Sequence, residues 1–272
     1  RANTWGIPTF VWASILHPRF NQEAVLAERE VWQVGGGDAY TDEERIARLS
    51  RFFATVDSIL VGSELAQRSF ALQGEARKPP ILLQGTFSID GDRFQPATAP
   101  HPEAEVFRVL HASHMNLIKG IGYLLEAWSQ TELEQAELLL AGTVEPELEP
   151  ILERFPSATT HMLGFVRDTP ALYRRAHLFV SPSVADIHPY TVLEAMAELA
   201  GMNPALEGFV GAELGDRAGF SVASAGDVDG DGRDDFLVGA ERSEAGGQNA
   251  GSAYLFLASS LGETPVFDLA AA

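Results

Sequence analysis

Three charged side chains between positions 119 and 194 have the types and the spacing needed to hold a sugar diphosphate. Lys119 precedes Gly120 at a predicted helix start, Asp186 follows a predicted strand, and Glu194 comes eight residues later inside the next predicted helix. A fixed cation and the N–H groups of a helix start attract phosphate oxygens. Carboxylates accept hydrogen bonds from sugar and ribose hydroxyls. We therefore expect one site for a nucleotide sugar in this stretch.

Each of these residues also has a plainer interpretation. Lys119 taken alone is compatible with a solvated surface lysine, and Asp186 with an acid favoured by the dipole at a helix start. Glu194 lies in the middle of an apolar helical stretch, where burial without a partner costs free energy. That cost favours a binding role for Glu194.

A second chemical signal lies near the C-terminus, in the run 227–235. Its oxygen-bearing positions alternate around a glycine, which is the arrangement that wraps oxygen ligands around one Ca²⁺ ion. The predicted ligands are Asp227, Asp229, Asp231, Arg233 through its carbonyl, and Asp235. Position 12 of the loop is Val238, so the bidentate glutamate of an EF-hand is absent, and residues 236–239 predict a strand rather than a helix. The alternative is a solvated acidic turn.

Composition limits the class of protein. The chain has 272 residues, 46% of them hydrophobic, which is enough for two or more domains. The absence of cysteine excludes disulfides, thiolate zinc sites and cysteine nucleophiles, and it is compatible with a reducing compartment. A net charge of −19 argues against nucleic acid as the main partner. No apolar run is long enough for a membrane span and no secretory leader is evident. We expect a cytoplasmic location, including the periphery of the inner membrane, or an extracellular one if the C-terminal module determines the function.

The texture of the sequence changes near residues 201–204. Residues 205–272 contain 12 acidic and 3 basic residues, whereas the preceding 204 contain 26 and 16. Glycine, serine and alanine also become more frequent after this point. We therefore predict a domain boundary here, with a separate small β module at residues 205–272.

Strand and helix patterns alternate through the first 200 residues. Predicted strands cover 8–12, 58–61, 81–83, 106–112, 137–141, 162–166 and 177–180. Predicted helices cover 21–34, 41–55, 63–72, 147–155, 170–176 and 190–199, with Thr41 and Glu44 as a capping box, and an apolar stripe predicts another from Ile121 to Trp128. This alternation is typical of parallel sheets with helices on both faces, whose ligands bind at the carboxyl ends of the strands.

Several motifs resemble the family 4 glycosyltransferases, in the same order as in that family. The resemblance extends over about residues 5–198 and is carried by 61–64, 93–96, 109–120, 123–128, 163–166, 171–176 and 192–197. It implies the GT-B fold, with two facing Rossmann-like domains. Residues 1–100 would then be a remnant of the acceptor-side domain with the crossing between domains, and residues 101–200 the truncated nucleotide-sugar-binding domain. It also implies transfer of a sugar from a nucleotide donor to a sugar, lipid or small-molecule acceptor, with retention at the anomeric carbon and without an obligatory metal or other cofactor.

The resemblance assigns roles to individual donor-site residues. Lys119 occupies the phosphate-binding lysine position, and His114 stands where the family usually has an arginine. Asp186 occupies the first position of the paired-carboxylate motif, where glutamate is usual and contacts the donor sugar. Glu194 occupies the second position, which binds the ribose hydroxyls. Asp186 and Lys119 are the predicted catalytic residues.

Other positions are assigned by the same resemblance. Gly164 and Phe165 match a turn that contacts the nucleobase, and His188 lies in the changed loop before Glu194, either as a donor contact or as a helix cap. His17 is expected at the acceptor side of the cleft or in a plain loop. The other histidines, such as His111, are expected to have core or surface roles.

Residues 208–258 resemble one FG-GAP repeat of the integrin-type propellers, which implies Ca²⁺ binding by the loop at 227–235. A propeller needs several blades to bury its faces. We therefore expect an incomplete glycosyltransferase core joined to a single repeat, with impaired turnover. The alternative function is an extracellular calcium-dependent adhesion module that carries a non-catalytic α/β segment.

Overall fold

The computed structural model divides into two compact units. The first comprises Arg1–Phe87 with Val184–His188, and the second comprises Ser88–Ser183 with Pro189–Ala272. The residues that the structure describes are 9–37, 39–73, 78–82, 89–95, 106–131, 133, 135–186, 190–199, 208–210, 218–226, 228, 230, 235–240, 252–256 and 266–268. Each unit is described by itself below.

The first unit contains a three-stranded parallel sheet in the order β1-β2-β3. Its elements are β1 (Phe10–Ala13), α1 (Pro18–Trp32), α2 (Glu43–Phe53), β2 (Ser58–Val61), α3 (Glu64–Gln73) and β3 (Ile81–Leu82). The strand predicted at 58–61 is confirmed, and α3 has its predicted N-terminal Ser63, whose hydroxyl accepts the Ala66 N–H at 3.3 Å. Buried Ile46, Ile59 and Phe70 form part of the core.

Two helix starts in this unit differ from the sequence prediction. Helix α1 begins at Pro18 rather than at 21, because proline fits the first helical turn, where no N–H is needed. The predicted capping box at Thr41 is wrong. Asp42 caps α2 instead, since its carboxylate accepts the N–H groups of Glu44 at 3.0 Å and Arg45 at 3.1 Å.

The second unit is built on a seven-stranded sheet in the order β11-β10-β9-β7-β4-β5-β6. Strands β4 (Phe107–Ala112), β5 (Ala136–Ala141), β6 (Thr160–Gly164) and β7 (Leu178–Val180) are mutually parallel, as predicted. Helices α4 (Ile121–Ser129), α5 (Glu149–Arg154), α6 (Thr169–Tyr173) and α7 (Tyr190–Leu199) connect or follow them. The predicted bounds of α7 are confirmed, and the stripe of α4 from Ile121 to Trp128 is buried as predicted.

Two elements of this unit differ from the sequence prediction, one because of strand pairing and one because of local prolines. Strand β6 runs from Thr160 rather than from 162, since Thr160 pairs with Leu138 of β5, and it ends at Gly164. The helix predicted at 147–155 is divided into a 3₁₀ turn, Pro146–Leu148, and α5, with prolines at the start of each.

The C-terminal strands extend the sheet of the second unit. Strand β9 (Ala218–Gly226) pairs antiparallel with β7, and β10 (Asp235–Ala240) and β11 (Ser252–Phe256) follow in an antiparallel meander. The strand predicted at 236–239 in place of an EF-hand helix is confirmed. Strands β8 (Gly208–Val210) and β12 (Val266–Asp268) form a separate parallel pair. The boundary predicted at 201–204 lies outside the described residues.

Candidate active site

The loops that follow β4 and β5 lie side by side and continue the sheet beyond its strands. The Met115 N–H donates to the Thr143 carbonyl at 2.8 Å, and the Glu145 N–H donates to the Met115 carbonyl at 2.9 Å. Gly142 allows this approach, because a Cβ atom there would lie 1.7 Å from the Ser113 carbonyl oxygen. The two loops therefore form one platform at the carboxyl edge of the sheet, where parallel α/β sheets bind ligands. This platform comprises residues 113–116 and 142–145.

His114 projects from the platform and has polar partners on both ring nitrogens. Its Nδ1 lies 2.5 Å from the Thr143 hydroxyl, and its Nε2 lies 2.7 Å from Oε1 of Glu145. The side chain is 55% exposed, so the pair is accessible to a ligand from solvent. Neither partner was found by sequence reasoning, because both lie in the loop after the neighbouring strand, about thirty positions away. His114, which is predicted to bind the donor, thus has the carboxylate of Glu145 as a partner.

Lys119 ends a 3₁₀ turn, Leu117–Lys119, directly before α4. The buried Asn116 caps this turn, since its Oδ1 accepts the Lys119 N–H at 3.2 Å. Gly120 then takes φ of +69°, and a Cβ atom there would lie 1.9 Å from the Pro182 carbonyl oxygen. Only glycine permits that contact. The turn that carries Lys119 is therefore packed directly against the segment that follows β7.

His111 connects the ends of β4 and β7 beneath this turn. The ring is 1% exposed, with Nδ1 2.9 Å from the Val180 carbonyl oxygen and Nε2 2.7 Å from the Ser113 hydroxyl. A carbonyl oxygen only accepts, so Nδ1 carries the proton and the serine hydroxyl donates to Nε2. The pKa of His111 is lowered to about 4, mainly by burial and also by the nearby Lys119 charge, while the Val180 hydrogen bond acts in the opposite direction. The histidine is neutral at physiological pH and has the core role expected of it.

Glu194 lies half-buried on α7, and one of its two carboxylate oxygens accepts a hydrogen bond. The hydroxyl of Tyr173, which has no exposed surface, donates to Oε2 of Glu194 at 2.8 Å. Burial raises the pKa of Glu194, while the hydrogen bond from Tyr173 and the charge of Arg93 act in the opposite direction. The carboxylate therefore has a hydrogen-bond partner, which offsets part of the free-energy cost of burying it.

One turn later, Glu198 attaches α7 to the segment before β4. Its buried carboxylate forms an ion pair with Arg174 at 2.8 Å and accepts the Gln95 N–H at 3.2 Å. Burial raises the pKa of Glu198, and both contacts oppose that shift. Arg93 in the same segment donates to the Arg167 carbonyl at 3.0 Å. The two contacts of Glu198 hold α7, and with it Glu194, in a defined position.

The second unit contains both Lys119 and Glu194, whereas Asp186 groups with the first. Asp186 is partly buried and lies in the segment Val184–His188, which is part of the first unit. His188 lies outside the described residues. The roles of all four residues in donor binding stay predictions.

Gly164 and Phe165 close the platform at the end of β6. The Gly142 N–H donates to the Gly164 carbonyl at 2.7 Å, which joins the end of β6 to the platform. The side chain of Phe165 is 74% exposed. An exposed aromatic ring at this edge can stack on a planar base.

His17 is an internal helix cap of the first unit. Its Nδ1 accepts the Arg19 N–H at 3.1 Å at the start of α1, and its ring packs edge-on against Phe70 with centroids 5.3 Å apart. The residue is fully buried. These contacts give it a structural function, and its acceptor-side role stays a prediction.

The acidic loop at 227–235 connects two paired strands. Asp235 is opposite Gly226 at the base of the β9–β10 hairpin. The other predicted ligands, Asp227, Asp229, Asp231 and Arg233, lie outside the described residues. Within the part of the chain that the structure describes, no group of three metal-ligating side chains is close enough to hold an ion.

The parallel strands with their connecting helices define a Rossmann-like α/β architecture, with the lysine turn at the carboxyl edge of its sheet. Residues 106–199 match the family described as "Glycosyl transferases group 1", and residues 218–256 match the FG-GAP repeat. The two matches follow the order predicted from the sequence, with the glycosyltransferase match first and the FG-GAP match after it.

Similar solved structures have the GT-B fold. HepE from Anabaena, solved in complex with UDP-glucose, is 18% identical with a TM-score of 0.50, covering 72% of this chain and 52% of that chain. Sucrose-phosphate synthase from Thermosynechococcus elongatus is 17% identical with a TM-score of 0.47, covering 72% and 55%. This chain thus spans about half the length of the structures it matches. A search of curated protein sequences found no significant match.

Membrane-spanning helices need both length and a continuous apolar character. None of the helices in the described ranges combines these two properties.

Proposed function

We propose that the chain binds a nucleoside-diphosphate sugar and transfers the sugar to an acceptor hydroxyl with retention at the anomeric carbon. The match of residues 106–199 to the group 1 glycosyltransferases carries this proposal. In the reaction the bond from the anomeric carbon to the diphosphate oxygen breaks, and a bond to the acceptor oxygen forms as the acceptor loses its proton. The cysteine-free composition is compatible with the cytoplasm.

Phosphate binding is assigned to the lysine turn. A leaving nucleoside diphosphate gathers negative charge as the glycosidic bond breaks, and a cation beside a helix N-terminus stabilises that charge. The packing of Gly120 against Pro182 holds the turn in place for this task. With Lys119 and the first N–H groups of α4 supplying positive charge, the reaction does not require a metal. His114, paired with Glu145, adjusts the charge near the phosphates.

The remaining site residues are assigned to the other parts of the donor, which are the ribose, the sugar and the base. Glu194 accepts hydrogen bonds from the ribose hydroxyls, Asp186 contacts the donor sugar, and Phe165 stacks on the base. HepE, whose structure contains UDP-glucose, supports a uridine nucleotide as the first ligand to test. The acceptor is a sugar, lipid or small molecule.

A thermal-shift and calorimetric screen with UDP, GDP and ADP tests the proposal. We expect one of them to stabilise the wild-type chain, and Lys119→Ala and Glu194→Gln each to weaken its binding about tenfold or more, as for a lost hydrogen bond to a charged group. Matched controls are Lys78→Ala and Glu126→Gln, which remove exposed charges elsewhere. Binding that is absent in the wild type, or unchanged in both site variants, would refute the assignment. Retention is checked from the anomeric proton coupling of the product.

The FG-GAP match and the β9–β10 hairpin favour a second candidate, Ca²⁺ binding by the loop at 227–235. Calorimetry with Ca²⁺ tests it, using Asp229→Asn to remove a ligand charge and Glu207→Gln as a control outside the loop. Calcium binding together with no response to any nucleoside diphosphate would favour the adhesion module over the enzyme.

A further inference from the structure

Tyr173 joins two elements that are distant in sequence at the carboxylate proposed to bind ribose. It is the last residue of α6 and has no exposed surface. Its hydroxyl donates to Oε2 of Glu194 on α7 at 2.8 Å. Among the described residues, hydrogen bonds engage only this one of the two carboxylate oxygens, so Oε1 is the oxygen that can receive a ligand.

The tyrosine ring is fixed by other aromatic rings. Phe94 packs against it with centroids 6.3 Å apart, and Phe179 of β7 packs against it at 5.6 Å. Phe179 in turn stacks on His111, with an angle of 11° between the two planes. A ring held between elements in this way places its hydroxyl at one point. The hydroxyl therefore determines the rotamer of Glu194, and not the reverse.

The charges favour a tyrosine that only donates and a glutamate that accepts. Burial and the Glu194 charge raise the pKa of Tyr173 well above its usual value, so the phenol keeps its proton. The same hydrogen bond lowers the pKa of Glu194 against the effect of burial. Removing the hydroxyl would free the carboxylate to rotate and would make it a poorer anion.

We propose that Tyr173 is a positioning residue that aims the second oxygen of Glu194 at the ribose hydroxyls of the donor. This inference rests on the proposed function and deepens it, because it names the group that prepares the ribose contact. Tyr173 acts through Glu194 alone and touches no part of the ligand.

The test compares two ligands that differ only at the ribose. Calorimetry on the full chain would use whichever of UDP, GDP or ADP binds best to the wild type, and its 2′,3′-dideoxy analogue. We expect Tyr173→Phe to weaken binding of the ribonucleotide about tenfold, the loss of one hydrogen bond to a charged group. Binding of the dideoxy analogue should change less than about twofold, since Glu194 has no hydroxyl to bind there. Tyr40→Phe, in the other unit, is the matched control.

A double variant keeps the proposal falsifiable if packing also changes. Tyr173→Phe combined with Glu194→Gln should bind no more weakly than Glu194→Gln alone, because both changes remove the same contact. Equal losses for both ligands, or losses that multiply in the double variant, would show a merely structural tyrosine and overturn the inference alone. No binding of any of the three diphosphates by the wild type would overturn the proposed function as well, and this inference with it.

Discussion

The buried histidine at the end of β4 makes the stability of the second unit depend on pH. His111 donates from Nδ1 to Val180 and accepts at Nε2 from the Ser113 hydroxyl. A second proton would reverse the Ser113 hydrogen bond, with Nε2 then donating, and would put a charge in the core near the Lys119 charge. The folded unit therefore disfavours the imidazolium, while the unfolded chain accepts it freely.

The size of the effect follows from the two pKa values. Folding lowers the pKa of His111 from 6.5 to about 4, so the unfolded chain binds more protons between these values. Stability from neutral His111 is fully present above pH 6.5 and falls with pH until about 4, where the folded form is protonated too. The linkage relation gives a loss of about 2 kcal/mol at pH 5 and about 3 kcal/mol at pH 4. Glu194 and Glu198, whose pKa values are raised, act in the opposite direction.

Comparison with His111→Asn isolates the histidine from those carboxylates. Asparagine keeps a donor for Val180 but does not titrate, so the loss assigned to His111 should be absent from the variant. Hydrogen exchange of residues 107–112, corrected for intrinsic rates at pH 7.5 and pH 5, measures the opening free energy of β4. We expect the wild type to lose about 2 kcal/mol more than the variant. Equal losses in both proteins would refute the assigned pKa shift.

Two further predictions concern backbone geometry. In urea unfolding, Gly120→Ala should lower the free energy of unfolding by about 2 kcal/mol more than Gly164→Ala does. Both glycines have positive φ, but of the two only Gly120 has a carbonyl oxygen within 1.9 Å of the added Cβ atom. Similar losses would contradict the close approach of the two segments. Asp42→Ala should destabilise α2 by about 1 kcal/mol, and Asp42→Asn much less, because asparagine also caps helices. Thr41→Ala should lower the free energy of unfolding less than Asp42→Ala does. A larger loss for Thr41→Ala would show that the threonine caps the helix.

Much of the fold was predictable because its signals are local. The strand at 58–61 and the helix at 190–199 have their predicted bounds, since alternation of apolar runs with amphipathic stretches marks each element within a few residues. The alternation also predicted parallel pairing. The start of β6 was predicted less accurately, because its pairing with β5 sets it. At α2 two adjacent residues, Thr41 and Asp42, are both suitable caps, and the wrong one was predicted.

The candidate site also has a part that was predictable from the sequence and a part that was not. Lys119, with Gly120 after it and a helix beyond, was recognisable from sequence because the turn is contiguous. The partners of the site residues were not, since Tyr173 meets Glu194 across 21 positions and Glu145 meets His114 across 31. No local pattern encodes these pairs, because they depend on which helices pack together and which strands are neighbours in the sheet. The grouping of Asp186 with the other unit was equally invisible.

By itself, the sequence determined the order of the two modules, the type and rough extent of each element, and the chemical character of the lysine turn and the acidic loop. Only the tertiary structure decided that β9 joins the sheet beside β7, that His111 connects two strand ends, and that a buried tyrosine holds Glu194. The physical reason is the separation along the sequence over which each kind of interaction acts. Propensities, caps and apolar periodicity act over a few residues, whereas hydrogen bonds between strand ends form only once packing has brought distant segments together.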